Sequence, residues 1–271
     1  MVRSLWTAAT GMIAQQTNLD TISNNLANVN TTGYKTETAE FKSLLYQSLQ
    51  TKSTSSDGTA KPVAAQVGLG VRNSSIVSSF EQGNTTATDS DSAFAIQGKG
   101  FFGIRGADGK TYYTRNGNFQ WVLGTQGIAL TTTDGYPVQD STGKAITLSS
   151  NYSAANITIT GDGKLCYPDA NNNAQPIGIQ IGVVQFDNPA GLTKAGNSLF
   201  LASAASGNPI NEATSTAVAK SNITQGYLEG SNVQVVDEMV NMIVAQRAYE
   251  MNSKVIQASD DMMSQANQLR R

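Results

Sequence analysis

The chain has 271 residues, of which 39% are hydrophobic and only 14% charged, with a formal net charge of −2, no histidine and one cysteine. Without histidine the commonest general base, the commonest metal ligand and the Ser-His and Cys-His nucleophile pairs are absent, and the lone Cys166 makes neither an intrachain disulfide nor a zinc site. A near-neutral chain whose only Lys/Arg cluster is Arg270-Arg271 offers no basic face to nucleic acid, and no apolar run approaches the roughly 20 residues needed for membrane insertion.

In chain order, the first segment reads as a helix. Leu5, Ala8, Met12, Gln15, Leu19, Ile22, Leu26 and Val29 follow steps of three and four, the heptad spacing of a coiled-coil seam broken only by Gln15. Gln15, Gln16, Asn18 and Asp20 interrupt any continuous apolar h-region, so a cleavable secretory signal is not expected. The helix ends at the turn formers Asn28 to Gly33. Residues 36–50 continue to look helical around Phe41, Leu44, Leu45 and Leu49, and Thr51 to Ala60 reads as a linker or extended loop.

From about 71 to 228 the pattern becomes β. Apolar-polar alternation marks Val71–Val77, Ala93–Ile96, Phe101–Ile104, Tyr112–Thr114, Phe119–Val122, Ile157–Ile159, Ile177–Val184 and Ser198–Leu201. Asp108-Gly109, Asp134-Gly135, Thr142-Gly143 and Asp162-Gly163 are hairpin-turn pairs between them. The expectation is a sandwich or barrel with a split between 135 and 165 and surface loops at 169–174 and 203–213. The last segment is again helical. Val236, Val240, Ile243, Arg247, Met251, Val255, Ala258, Met262, Ala266 and Leu269 recur about every 3.67 residues, the eleven-residue repeat that needs almost no supercoil. The opposite side is polar but sparsely charged, which suits a second contact surface better than a solvated face.

No constellation marks catalysis. Gln97-Gly98-Lys99-Gly100-Phe101-Phe102 lacks phosphate-loop spacing and precedes a strand, so it reads as a bend at a strand entry. Asp89, Asp91, Asp108, Asp134, Asp140 and Asp162 could supply a glycosidase pair, but most occupy turn positions where a local role suffices. A non-enzymatic protein with no cofactor is expected. The expected fold is α+β. Paired N- and C-terminal helices (1–35 with 230–271) form a discontinuous coiled-coil-like domain, 36–70 is a connecting segment, and 71–229 is a mainly-β central domain.

Four motifs carry a resemblance. Asn24-Asn25-Leu26-Ala27-Asn28-Val29-Asn30-Thr31-Thr32-Gly33-Tyr34-Lys35 resembles the N-terminal signature of the bacterial flagellar axial proteins, the rod and hook family. Glu229-Gly230-Ser231-Asn232-Val233, with Glu238 to Ile243 and Gln246-Arg247-Ala248-Tyr249-Glu250, resembles its C-terminal signature. Gly98 to Phe102 and Tyr113 to Phe119 match the same family in the middle. Within it the likeness is strongest to the distal-rod members, through Ser4 to Gly11 and through Leu44-Leu45-Tyr46-Gln47 followed by a polar insert (Gln47 to Gln66) ending at Gly68-Leu69-Gly70-Val71-Arg72.

The resemblance implies a homo-oligomeric helical tube around an export channel in the flagellar basal body. It also implies export without a cleaved signal, torque transmission to the hook, and contacts with other rod proteins, the hook protein, the surrounding ring and the export apparatus. The expected assembly contacts are Leu5, Met12, Leu19, Ile22 and Leu26 with Val240, Ile243, Met251, Val255 and Met262. A proximal-rod or hook subunit, or a secreted β-rich adhesin or glycan-binding module, remains open at this point.

Overall fold

The computed structural model describes residues 2–50, 65–124, 127–149, 152–169, 173–216 and 218–269. They form two compact units. The helical unit comprises Met1–Ala27, Glu37–Ser78 and Gln234–Arg271, and the β unit comprises Asn28–Thr36 and Ser79–Val233. Helices at the two ends and strands between them are the α+β arrangement expected. The boundaries differ from those predicted at 35/36 and 70/71: the turn after the first helix belongs to the β unit, while 37–78 belongs with the helices.

In the helical unit, α1 (Val2–Ala27) is followed by β1 (Glu37–Ser43), β2 (Tyr46–Gln50), β3 (Ala65–Gly68) and β4 (Val71–Ser78). The helix read over 36–50 is therefore a pair of strands. β1 pairs antiparallel with β4, with a bulge at Glu40/Phe41, and β2 pairs with β3. Leu44 N donates to Gly70 O (2.8 Å) and Leu69 N to Leu45 O (3.2 Å), so the two ladders join into one ribbon. Burial explains the misreading. Between Thr38 and Lys42 only Ala39 and Phe41 turn inward, a period of two, whereas Leu45 and Leu49 are exposed and so report no helix face.

The ribbon is fixed to α1 at two points. Asn25 clasps Glu37, its amide donating to Glu37 O (2.8 Å) and its carbonyl accepting from Glu37 N (2.9 Å). Thr10 Oγ1 accepts from Val71 N at 3.4 Å. Fifteen residues of helix cover about 22 Å and seven of strand about 23 Å, so the root of the ribbon runs along α1 between these clasps. The predicted loop at Thr51–Ala60 lies outside the described residues, as does Arg270-Arg271.

The β unit holds β5 (Thr85–Ala87), β6 (Phe94–Gln97), β7 (Phe101–Arg105), β8 (Thr111–Thr114), β9 (Phe119–Gly124), β10 (Gly127–Thr132), β11 (Thr147–Leu148), β12 (Thr158–Ile159), β13 (Lys164–Pro168), β14 (Ala174–Gln180), β15 (Val183–Gln185), β16 (Thr193–Gly196), β17 (Leu199–Leu201), β18 (Ile210–Asn211), β19 (Asn222–Gln225) and β20 (Tyr227–Glu229). The largest sheet has the order β16-β17-β8-β7-β15-β18, and two three-stranded sheets, β11-β10-β9 and β12-β13-β14, accompany it. All described pairings are antiparallel, with Asp108-Gly109 turning β7 into β8 and Asp162-Gly163 turning β12 into β13.

One apolar core joins Phe94, Ile96, Phe102 and Phe119 to Leu130, Val138, Ile146, Leu165 and Ile181. It crosses the interval 135–165, so the split expected there is absent, because residues on both sides contribute to the same buried layer. A smaller aromatic cluster gathers Phe101, Tyr113, Phe186 and Phe200. The loop 203–213 is not wholly superficial, since Ser206 and Glu212 are buried. The chain closes with α2 (Val235–Gln268), which returns to the helical unit.

Candidate assembly surfaces and the buried ion cluster

α1 and α2 run antiparallel. Ser4 and Ser259 hydroxyls meet at 3.2 Å, a Cβ on Gly11 would lie 2.9 Å from Asn252 Nδ2, and Asn25 Nδ2 donates to Glu238 Oε1 at 3.1 Å. Ser4, Gly11 and Asn25 are separated by multiples of seven, as are Glu238, Asn252 and Ser259. The two helices therefore share a heptad seam of small and polar side chains, with Ala8, Ala14, Ile22 and Ala245 buried beside it.

The two helices meet along this seam and not through their apolar stripes. Ile22 is buried and Leu5, Met12, Leu19 and Leu26 are half-buried, but Val240, Ile243, Met251, Val255 and Met262 are all exposed, at 44–62%. The apolar stripe of α2 is turned away from the seam, where Gly11 lies close against Asn252 and Ala245 is buried. Val236, Met239 and Val244 lie exposed with it, and so do Trp6 and Ile13 on α1. On the ribbon, Leu45, Tyr46, Leu49, Val67 and Leu69 are exposed as well. Large apolar side chains exposed in such number mark an interaction site.

Glu238 sits in the seam within the first turn of α2. Burial, helped by the neighbouring charge of Asp237, pushes its carboxyl above the ordinary glutamate range, and the Asn25 amide partly opposes this. A carboxyl raised on folding binds its proton more tightly in the folded state. Its contribution to stability is thus fully present below the unfolded value and lost as pH rises through the folded one. Helical-unit stability, followed by circular dichroism melts, is expected to fall for this reason as pH rises from the ordinary glutamate pKa through the raised folded one. Glu238→Gln should flatten that part of the profile, and an unchanged profile would remove Glu238 as its source.

In the β unit, the segment 28–36 and the segment around 229–232 meet at a buried ion cluster. Lys35 Nζ donates to Glu229 Oε1 (2.6 Å) and to Glu81 O (2.6 Å). Arg115 donates to Glu229 Oε2 (3.2 Å) and to Gly98 O (2.6 Å), and its guanidinium lies 5.1 Å from the Phe101 ring centroid. All three charged side chains are at most 1% exposed. Burial, the largest effect, pulls the Lys35 and Arg115 pKa values down, and Glu229 pushes both back up, with Glu212 assisting at Arg115. Glu212 is itself held by Gln185 Nε2 and by Ser221 N and Oγ.

Asn232 completes the arrangement. Its carbonyl accepts from Thr36 N (2.7 Å) and Oγ1 (2.8 Å), and its amide donates to Ser79 O (3.1 Å) and Glu81 O (3.2 Å). Gly33 adds a main-chain bond to Glu229 O (2.8 Å) with φ at +69° and no room for a Cβ, which would lie 2.7 Å from Arg115 C. Asn232 in the β unit and Asn25 in the helical unit thus do the same work, each tying several non-contiguous segments through one primary amide.

The signature residues therefore divide into three groups. Asn25, Gly33 and Lys35 are buried and bonded as described, Leu26, Asn28 and Tyr34 are half-buried, and Ala27 is exposed. Gln246, Arg247, Tyr249 and Glu250 are exposed, Arg247 pairing with Glu250 at 3.0 Å, and Ala248 is half-buried. Sequence reading did not single out Arg115, Glu229, Asn232, Glu238 or Glu212 as site residues. For all but Glu212, which lies in no motif, the available signal was their charge or amide inside motifs of a chain with so few charges.

Three family profiles match the chain: "Flagella basal body rod protein" over residues 5–35, "Flagellar hook protein FlgE/F/G D1 domain" over 95–167, and "Flagellar basal body rod FlgEFG protein C-terminal" over 224–269. The proteins named "Flagellar basal-body rod protein FlgG" are similar throughout. The one from Borreliella burgdorferi is 43% identical over 100% of both chains. Those from Caulobacter vibrioides and Buchnera aphidicola of Schizaphis graminum are 44% and 42% identical over 99% of this chain and 100% of theirs. With identity of this order over the whole length, the chain belongs to the flagellar basal-body rod protein family that these FlgG proteins represent.

Proposed function

We propose that the chain is a structural subunit of the flagellar distal rod, assembling into a helical tube that surrounds the export channel and transmits motor torque to the hook. The observation that carries this reading is the outward apolar face of α2, from Val236 to Met262, left uncovered by α1. A face of that kind on a chain with 14% charged residues is completed by neighbouring copies. Contacts between unlike patches that do not close on themselves generate a helical polymer. Val240, Ile243, Met251, Val255 and Met262, with Leu5, Met12, Leu19, Ile22 and Leu26 behind them, are the proposed assembly residues. The β2–β3 end of the ribbon, formed by the two ends of the predicted insert, supports placement in the distal rod, because a two-stranded stretch with exposed Leu45, Tyr46 and Leu49 needs a neighbour to pack on.

On this reading the partners are further copies, other rod proteins, the hook protein, the surrounding ring and the export apparatus, and the location is the basal-body rod. Electron cryomicroscopy of basal bodies from cells lacking this chain tests it. The rod is expected to stop short, with no hook attached, and to regain its length when the chain is resupplied. Rods of normal length in its absence would sink the proposal.

A further inference from the structure

We infer that Lys35, Arg115 and Glu229 form a latch that makes closure of the N-terminal segment 28–36 conditional on docking of the C-terminal strand β20. Lys35 and Glu229 are 194 residues apart in sequence, and Arg115 and Glu229 are 114 apart. Glu229 is the carboxylate that Lys35 bonds, and both are essentially inaccessible to water. An ammonium taken out of water without its counter-ion is strongly disfavoured, so segment 28–36 cannot settle into its buried position before Glu229 arrives. The other anchors of the segment point the same way. Gly33 bonds the main chain of Glu229, and Thr36 bonds Asn232. Thr32 instead bonds Asn116 Oδ1 at 3.0 Å.

Arg115 works in the opposite sense. It also donates to Gly98 O at 2.6 Å and lies over the Phe101 ring, so the arginine keeps partners from the middle of the chain when Glu229 is away, whereas the other described hydrogen bond of Lys35 is to the Glu81 carbonyl alone. The latch therefore acts on the N-terminal segment. A chain that ends early, or whose C-terminal segment has not yet arrived, leaves the segment leading out of α1 open. The complete chain closes both links, 28–36 and 229–233, in one event. This device is independent of whether the chain builds the distal rod.

Hydrogen exchange of the full-length protein, read by mass spectrometry or NMR, tests it. In refolding from denaturant, the Gly33 amide should gain protection in the same kinetic phase as the Gly230 amide, which bonds Asn84 O. Protection of 28–36 in an earlier phase would overturn the latch. Glu229→Gln is expected to accelerate native-state exchange at both segments together by about a hundred-fold. Because that variant could fail to fold, Lys35→Met/Glu229→Gln provides the second arm. With the ammonium gone, the double variant should recover most of the protection at 28–36. A double variant as open as the single one, or a Glu229→Gln effect confined to 229–233, would refute the inference.

Discussion

Ile243→Asp and Met251→Asp, each alone, are expected to abolish polymer formation while leaving the β unit folded. Both side chains are more than half exposed on the single chain (56% and 62%), so their replacement costs the isolated fold within about 0.5 kcal/mol. In a contact between copies the same carboxylate would be taken out of water and placed against apolar side chains. Arg247, four residues from both positions, is already paired with Glu250, and Lys254 lies three residues beyond Met251, so Ile243→Asp is expected to have the larger effect. Desolvating an unpaired carboxylate opposes each contact by roughly 3 kcal/mol or more, which corresponds to at least a hundred-fold rise in the concentration needed to assemble. Sedimentation of purified protein over a concentration series measures this, with near-ultraviolet circular dichroism reporting the β unit. Ser149→Asp, an exposed position in the β unit, controls for added charge alone. Variants that sediment like the parent would show that this face of α2 is not an assembly surface.

The same face shows how far hydropathy reads. The stripe from Val236 to Leu269 stands out in the sequence because its residues are large and apolar, and the natural inference is that it packs on the N-terminal stripe. The structure pairs the helices through Ser4, Gly11 and Asn25 against Ser259, Asn252 and Glu238. A heptad is present on both helices, but its residues are small or polar, so apolar periodicity does not reveal it. The ribbon at 37–50 was hidden for a related reason. Leu44, Leu45 and Leu49 sit at near-helical intervals, yet two of the three face away from the unit, and spacing among exposed residues says nothing about a core. Strands and turns of the β unit were legible where alternation and Asp-Gly pairs coincide, as at Phe101–Ile104 and Asp108-Gly109. The ion cluster was not, because its partners lie as far apart as 194 residues and no local pattern encodes which cation meets which carboxylate.

Gly117→Ala is expected to be the most damaging single methyl group that can be added to the β unit. The residue lies in the motif from Tyr113 to Phe119, in the short link between β8 and β9, and it is buried. Its carbonyl accepts from Phe94 N at 3.0 Å and from Phe119 N at 3.0 Å. A Cβ at this position would overlap the carbonyl oxygen of Phe94 and press on the Phe102 ring. The obstacle is backbone, so no rotamer change relieves it, and β6 must move away from the link. That movement would disturb Phe94, which packs at 6.2 Å from Phe119, and Phe102, at 5.1 Å from the same ring. It would also strain the neighbouring Arg115, whose guanidinium cannot leave Glu229 without exposing a buried charge pair. Overpacking of a rigid site combined with disruption of a buried polar network places the loss at about 3–5 kcal/mol, or a fall in Tm of roughly 10 °C or more for a unit of this size. Thermal unfolding followed by tyrosine and tryptophan signals measures it. Asn118→Ala, one residue on, keeps the link open and removes only a half-buried side chain, so it should cost about 1 kcal/mol or less. Equal losses for the two variants would show that the close approach at Gly117 is not what constrains this motif.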